Sequence, residues 1–497
     1  MKRRMLAVLL TLIMVIGMMP ATAFAAPAFA DIDGHWAEEA IDRWAEYGIV
    51  AGMDGGFNPD GEMTRAQAAA VFANLFGLSK KADVSGFADV ENAWYKDAIA
   101  MCVEAGIMSG VGNGKMDPHG KLTREQMFVM FANGLGIKPE AKADKTFADD
   151  HKTSNWAEGY INAMVNRGFV SGTGDNKLAP EQNINRASVM ALLSASVATY
   201  VTEDGEVEAP KDGGLVIVLA ENVTITGEFS GTVLAVGGDT TIKVEDATAE
   251  AEIVVASGSE NVAVEGEFAG TVTVAAKETA VTVENAGKVE VATEGAKVEV
   301  TGTVKEVAVT EEAKDTKVEV AKDAKVENVV TNAANTTVAG EGKVEKVEAK
   351  EESTGTVVNT TGSKVENTSK EDVTVGAGKV EAGYEGTSNG AGKQPADIDK
   401  IETPTTGGGG GGGSSSTTTT PATPADPEDK PTYTVILPGG TSVVVNPSTT
   451  KVIVTPNGTY TVGPQGTVVM PGGTRVVTPG NDGVVDLRPG SSDLVQR

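Results

Sequence analysis

Met63-Thr64-Arg65-Ala66-Gln67 opens an apolar helical pattern, and the string returns as Leu122-Thr123-Arg124-Glu125-Gln126 and, more loosely, as Ile184-Asn185-Arg186-Ala187-Ser188. A second string precedes each copy by about one helical hairpin: Phe29-Ala30-Asp31, Phe87-Ala88-Asp89 and Phe147-Ala148-Asp149. The arginines lie 59 and 62 residues apart. A fixed period of this kind marks a repeated supersecondary unit. The repeats span 29–78, 86–137 and 147–200.

Each repeat carries two helical patterns. In the first, Ala37, Ala40, Ile41, Trp44 and Ala45 form one stripe between Trp36 and Tyr47, and Gly48 is placed as a left-handed cap. In the second, Thr64 with Gln67, and Thr123 with Gln126, have the spacing of a capping box. Ala69, Ala70, Phe72, Ala73 and Phe76 build the apolar face of that helix. Three such hairpins can bury one core.

The arginine asks for a reason. A cation in the first turn opposes the helix dipole at a cost of about 0.3–1 kcal/mol. Here it recurs three times, each time six residues after a proline (Pro59, Pro118, Pro180). A helix N-terminus presents free N–H groups to anions, and a guanidinium beside it adds a planar donor fork. The pattern therefore suggests an anion pocket at each second helix. The plain structural alternative is a salt bridge from each arginine to the aspartate of its own Phe-Ala-Asp string. Trp36 and Trp94 follow Asp31 and Asp89 by five residues, and Trp156 follows Asp149 by seven. A flat ring beside polar groups can hold the apolar face of a sugar, although a core tryptophan is commoner. The position of all four tryptophans before residue 160 places the aromatic-rich core in this region.

Taken together, Phe-x-Asp-Ile/Val, Trp-Ala/Tyr-x-x-Ala-Ile, Gly-Ile-Val/Met-x-Gly, Asn/Asp-Pro and Thr-Arg-Ala/Glu-Gln resemble the S-layer homology domain in triplicate, over residues 29 to 200. The resemblance implies a pseudo-threefold helical bundle whose grooves, between neighbouring repeats, bind a secondary cell wall polysaccharide, in Gram-positive members one bearing pyruvate ketals. Carried over by motif position, Asp31, Trp36, Gly52 and Arg65 would line one groove. Asp89, Trp94, Gly110 and Arg124 would line the second, and Asp149, Trp156, Gly172 and Arg186 the third. The third repeat departs from the pattern: His151 to Ser154 are inserted, and Asn185 and Ser188 replace the capping pair. Its groove is expected to be the weakest. The glycines are explained equally well as left-handed turn residues.

The rest of the chain differs in composition. From about Gly213, Val-x-Val pairs such as Val216/Val218, Val233/Ala235, Ile253/Val255 and Val272/Val274 recur, mostly at 9 to 11 residues. Alternating β-branched residues mean strands with one buried face. Glu221-Asn222-Val223 also echoes Glu260-Asn261-Val262 after 39 residues, four strand intervals. An even pitch with few large aromatics favours an all-β solenoid over a row of β-sandwiches. The β region is taken as 213–380, with little order expected from Lys364 to Lys400. Residues 381–431 read as a linker, with Gly407 to Gly413 followed by Ser and Thr. Residues 432–497 read as a small β segment with Pro-Gly-Gly turns.

The 497 residues carry a net charge of −28, which leaves no basic stripe for a nucleic-acid partner. Lys2, Arg3 and Arg4, an apolar run to Met19, and Ala23-Phe24-Ala25 read as a secretory signal at 1–25. After its cleavage no transmembrane segment is expected. The single cysteine, Cys102, sits on an apolar helical face and reads as a buried small hydrophobe. Beyond His151 there is neither His nor Cys, which removes Ser-His and Cys-His nucleophiles and ordinary zinc sites from that part. No catalytic residue, metal site or cofactor is assigned. The sequence thus suggests a secreted, non-enzymatic cell-surface protein of the cell wall or S-layer, with self-association in a surface lattice as a further partner. The alternative is an adhesin whose C-terminal β region binds an external ligand; a surface glycan hydrolase ranks third.

Overall fold

The computed structural model describes residues 29–401, apart from Asp54, Asn92 and Asp212, together with seven short strands between 433 and 486. The signal read at 1–25 and most of the linker lie outside the described residues.

Each repeat folds as a helical hairpin. The helices are α1 (Glu38–Glu46), α2 (Arg65–Leu75), α3 (Lys96–Glu104), α4 (Arg124–Gly134), α5 (Asn155–Asn166) and α6 (Arg186–Ser196). Both capping boxes form. Thr64 Oγ1 accepts from Gln67 N–H (3.2 Å) while Gln67 Oε1 accepts from Thr64 N–H (2.9 Å), and Thr123 and Gln126 do the same. In the third repeat Asn185 Oδ1 alone takes the cap, from Ser188 N–H (2.8 Å). Gly48 closes α1 in the left-handed region, as expected.

The repeats close into a ring by packing across their boundaries: α2 against α3, α4 against α5, and α6 back against α1. Three residues that precede the helix caps knit the ring at its centre. Met63 N–H donates to Ile184 O (2.9 Å), Ile184 N–H to Leu122 O (2.9 Å), and Leu122 N–H to Met63 O (3.0 Å). Phe72, Phe76 and Phe131 stack in the interior, with Phe72 and Phe131 at 6.0 Å and 10°. Of the four tryptophans only Trp44 joins this core, where its indole N–H donates to Ser194 Oγ (2.9 Å). The other three are exposed, which corrects the placement of the tryptophans in an aromatic core.

Residues 197 to 375 form a β-solenoid of about ten turns, built of parallel strands in register. One flank is the ladder Leu215–Val218, Thr232–Ala235, Glu252–Val255 and the strand containing Thr271 to Val274, continued by Lys288 to Val291 and Glu306 to Val309. The 39-residue echo is two turns of this coil, as where Val233 stacks on Ile253 and Ile253 on Val272. Valines fill the interior at every level.

Strands persist to Lys400, so the expectation of little order between Lys364 and Lys400 was wrong, and the β region starts at Val197 and not at 213. Polar interior residues misled the reading, because the fold satisfies them internally. Thr360 and Ser363 hydrogen-bond each other (2.7 Å), Asn367 donates to Glu371 O and Val380 O (2.9 Å each), and Ser388 Oγ donates to Thr360 O. The last strands turn antiparallel: Tyr384–Asn389 pairs with the strand at Thr361–Asn367, and Ala396–Lys400 with Tyr384–Asn389. Asp397, Asp399 and Lys400 line that final edge, a charged edge that discourages further strand addition.

The unit from 405 to 497 has its own three-stranded sheet (Tyr433–Ile436, Ser442–Val445, Val484–Asp486) and a four-stranded one starting at Lys451–Thr455.

Candidate functional site

The aspartates hold loops. Asp31 carboxylate oxygens accept from Phe57 N–H and Asn58 N–H (2.7 Å each), Asp89 from Met116 and Asp117 (2.8 Å each), and Asp149 from Leu178 (2.7 Å) and Ala179 (2.9 Å). These paired backbone donors hold the Asp31 carboxyl below the usual carboxylate range. At Asp89 and Asp149 burial pushes the other way, and the donors outweigh it.

The arginines reach forward into the next repeat. Arg65 donates through Nε to Met116 O and through Nη2 to Ser109 O (2.7 Å each). Arg124 donates through Nε to Leu178 O (2.9 Å). Arg186 completes the ring, through Nε to Phe57 O (2.8 Å) and Nη2 to Ala51 O (3.0 Å). Burial lowers all three from the usual guanidinium value, offset by Asp117 and Asp89 at Arg65, by Asp149 at Arg124 and by Asp31 at Arg186. They remain cations at any physiological pH.

Two expectations about these arginines are corrected. The helix N-termini are not open to an anion. Arg65 N–H and Ala66 N–H go to Gly120 O and Pro118 O, with the same pairing at Arg124 and Glu125 and at Arg186 and Ala187. Nor does any arginine bridge to the aspartate of its own hairpin; its nearest acid belongs to the following repeat. The recurring Arg is tolerated in the first turn because a cage of carbonyls from that repeat receives it.

The grooves are consequently composite. One, of about 380 Å³, is lined by Gly52, Gln67 and Asn74 of the first repeat, Trp94 of the second and Arg186 of the third. Another, of about 340 Å³, is lined by Trp36 of the first repeat, Arg124 and Phe128 of the second, and Gly172 and Ser188 of the third. The same rotation sets Arg65 beside Gly110, through Ser109 O, and leaves Trp156 as the third exposed ring. The grouping of Asp31, Trp36, Gly52 and Arg65 in one groove, and its two counterparts, is therefore wrong. Each of these two grooves takes its arginine, tryptophan and glycine from three different repeats. Trp36, Trp94 and Trp156 are 66%, 67% and 52% exposed, unlike core residues.

Gly52 and Gly110 are needed for space and not for a left-handed turn. A Cβ on Gly52 would stand 2.6 Å from the Phe29 ring, and one on Gly110 2.7 Å from Phe87. Gly172 meets the same contact at Phe147 (2.5 Å) and also has φ +83.

Two polar residues of the site were missed in the sequence. Glu125, buried, accepts from Ser154 N–H (3.0 Å) and Ser154 Oγ (2.9 Å), so the inserted segment before Trp156 is tied to the second repeat. Lys145 donates to Ser171 O (3.1 Å) at the rim of the Trp36 groove. The signal for Lys145 lay in the repeats themselves: two residues before the phenylalanine stand Pro27, Ser85 and Lys145. Cys102 is buried as expected, its thiol against Ala69 O (3.3 Å) and pushed up to about 12 by burial.

The site is thus a repeat-built module, a ring of three helical hairpins with composite Arg–Trp grooves. The family model for the S-layer homology domain matches residues 28–69, 86–128 and 146–190, so the chain carries three S-layer homology domains. It is 32% identical over 215 residues to an S-layer protein of Bacillus thuringiensis subsp. finitimus and to the S-layer protein sap of Bacillus anthracis, covering 42% of this chain and 26% of each relative. An amylopullulanase of Thermoanaerobacterium thermosulfurigenes is 31% identical over 171 residues, 33% of this chain and 9% of that enzyme, within the S-layer homology region. The chain thus spans about a quarter of the length of the S-layer relatives. These findings indicate a cell-surface, cell wall-associated protein that shares its N-terminal region with S-layer proteins. No helix among the described residues is long and apolar enough to cross a membrane.

Proposed function

We propose that the helical ring anchors the chain non-covalently to an anionic, pyruvate-bearing polysaccharide of the cell wall, and that the solenoid projects as a structural spacer without enzymatic activity. The observation that carries the reading is the exposure of three tryptophans, each from a different repeat, on a ring that sets a guanidinium and a close-packed glycine loop in the same grooves. An exposed indole costs solvation unless something covers it, and a sugar face beside a carboxylate fits both ring and cation. About ten rungs at roughly 4.8 Å each make a rod of about 48 Å. Self-association in a surface lattice belongs to the same reading and is supported by the S-layer relatives.

The test is co-sedimentation of the full chain with purified wall sacculi, before and after removal of the polymer's acid groups. Binding that falls by roughly tenfold or more on removal is expected, the loss of a charge-assisted pair. Equal binding to both preparations would rule the anionic ligand out.

A further inference from the structure

The grooves share a plan but not a charge. Arg65 and Arg186 are each pinned by two backbone carbonyls, and Arg124 by one. The carbonyl that Arg124 would take by symmetry is Ser171 O, the counterpart of Ser109 O and Ala51 O, and Lys145 Nζ occupies it. Both Nη groups of Arg124 are therefore without a hydrogen-bond partner among the described residues, above the Phe128 ring at 5.1 Å. Lys145 is exposed and lies over the Phe147 ring at 4.9 Å. It has no counterpart in the second repeat, where Ser85 stands at that position.

Neighbouring charges widen the difference. Arg65 has two acids at its side, Asp89 and Asp117, and Arg186 has Asp31. Arg124 has Asp149 alone; Asp149 lies beside Lys152, as Asp89 lies beside Lys115. The groove of Trp36, Arg124 and Gly172 thus combines a guanidinium held by a single carbonyl with a second cation, Lys145, at its rim.

We propose that this groove is the principal seat for the carboxylate of the wall polymer, and that Lys145 determines its preference by freeing the Arg124 fork and adding a second cation. The proposal rests on the wall-binding reading and narrows it. A carboxylate would take the Arg124 Nη pair end-on, the bidentate geometry that a guanidinium favours, with the sugar face against Trp36.

The test uses the full chain and purified sacculi. Trp36→Ala, Trp94→Ala and Trp156→Ala remove exposed rings and leave the core untouched, so all three variants report on binding and not on folding. Trp36→Ala and Arg124→Gln are expected to weaken binding roughly tenfold; Trp94→Ala and Trp156→Ala, about twofold or less. Lys145→Ala is expected to weaken it about threefold, and Lys145→Arg to restore it. The Lys145→Ala effect should vanish on sacculi stripped of acid groups. Equal losses for the three tryptophan variants, or no change with Lys145→Ala, would overturn the proposal and leave wall binding standing. Failure of the unmodified chain to bind sacculi would overturn both.

Discussion

The flank of the solenoid has two stretches built on one backbone. In the rungs at Leu215–Val218, Thr232–Ala235 and Glu252–Val255 the outward side chains include Leu215, Ile217, Leu234, Val236, Val254 and Ala256, all buried in one cluster with the helical ring. The inward ones, Val216, Val218, Val233, Ala235, Ile253 and Val255, fill the coil. The next rung turns Thr271 and Thr273 outward; beyond it the inward valines continue, and the outward positions include Lys288, Glu290 and Glu306, then Lys346, Glu348 and Glu366. These pair along and between rungs, as in Lys288 with Glu290 and Lys346 with Glu366 (2.7 Å each). The change marks where the ring stops covering the sheet. Tyr200 O–H donating to Leu75 O (3.0 Å) and Ser257 O–H to Ala105 O (3.1 Å) fix the contact with directed bonds. Helical ring and first rungs are therefore one packed block, in which the grooves and the first rungs of the solenoid hold a fixed mutual orientation.

The comparison can be broken most severely at its apolar end. Leu234→Asp buries an unpaired carboxylate between ring and coil and is expected to cost about 3–5 kcal/mol, visible as a large drop in Tm. Glu299→Leu, an outward substitution on an uncovered strand, should move stability by less than about 0.5 kcal/mol. Equal effects would mean that the ring does not shield the flank. A fragment ending at residue 205 should expose the ring's docking surface, bind a hydrophobic dye and self-associate on gel filtration, whereas one ending near 401 should stay dispersed.

Smaller effects sharpen the picture. Thr64→Ala removes a capping-box acceptor and is expected to destabilise the ring by about 1 kcal/mol in thermal melts. At the charged end, hydrogen bonds from Lys346 and Lys350 hold Glu348 down to about 2, below its ordinary value of 4.5. A lowered carboxylate stabilises the fold above its unfolded value, and the gain disappears as pH falls from about 4.5 to 2. After screening the contribution is about 1 kcal/mol or less. Glu348→Gln should flatten that part of the stability–pH curve, and raising salt should do the same in the unmodified protein.

Much of this was legible in the residues. The threefold period, both capping boxes, the Gly48 cap and the buried Cys102 follow from local rules that act within one helix or turn. Inward valines betrayed the solenoid because a strand's period is fixed by its backbone. The reading of one buried face fails at Leu215-Val216-Ile217-Val218, where the helical ring covers the second face. Lys145 was overlooked because its role depends on a carbonyl 26 residues away in sequence. Polar interiors such as Asn367 were misread as disorder because their partners are brought by other strands.

The sequence by itself determined the repeat, its helices, its capping boxes and the loop-holding Asp, since each answers to hydrogen bonds and packing inside a single hairpin. Only the tertiary structure decided which arginine faces which tryptophan. Ring closure sends every Arg side chain into the following repeat, so residues that are neighbours in the motif stand in different grooves, and residues far apart along the chain share one.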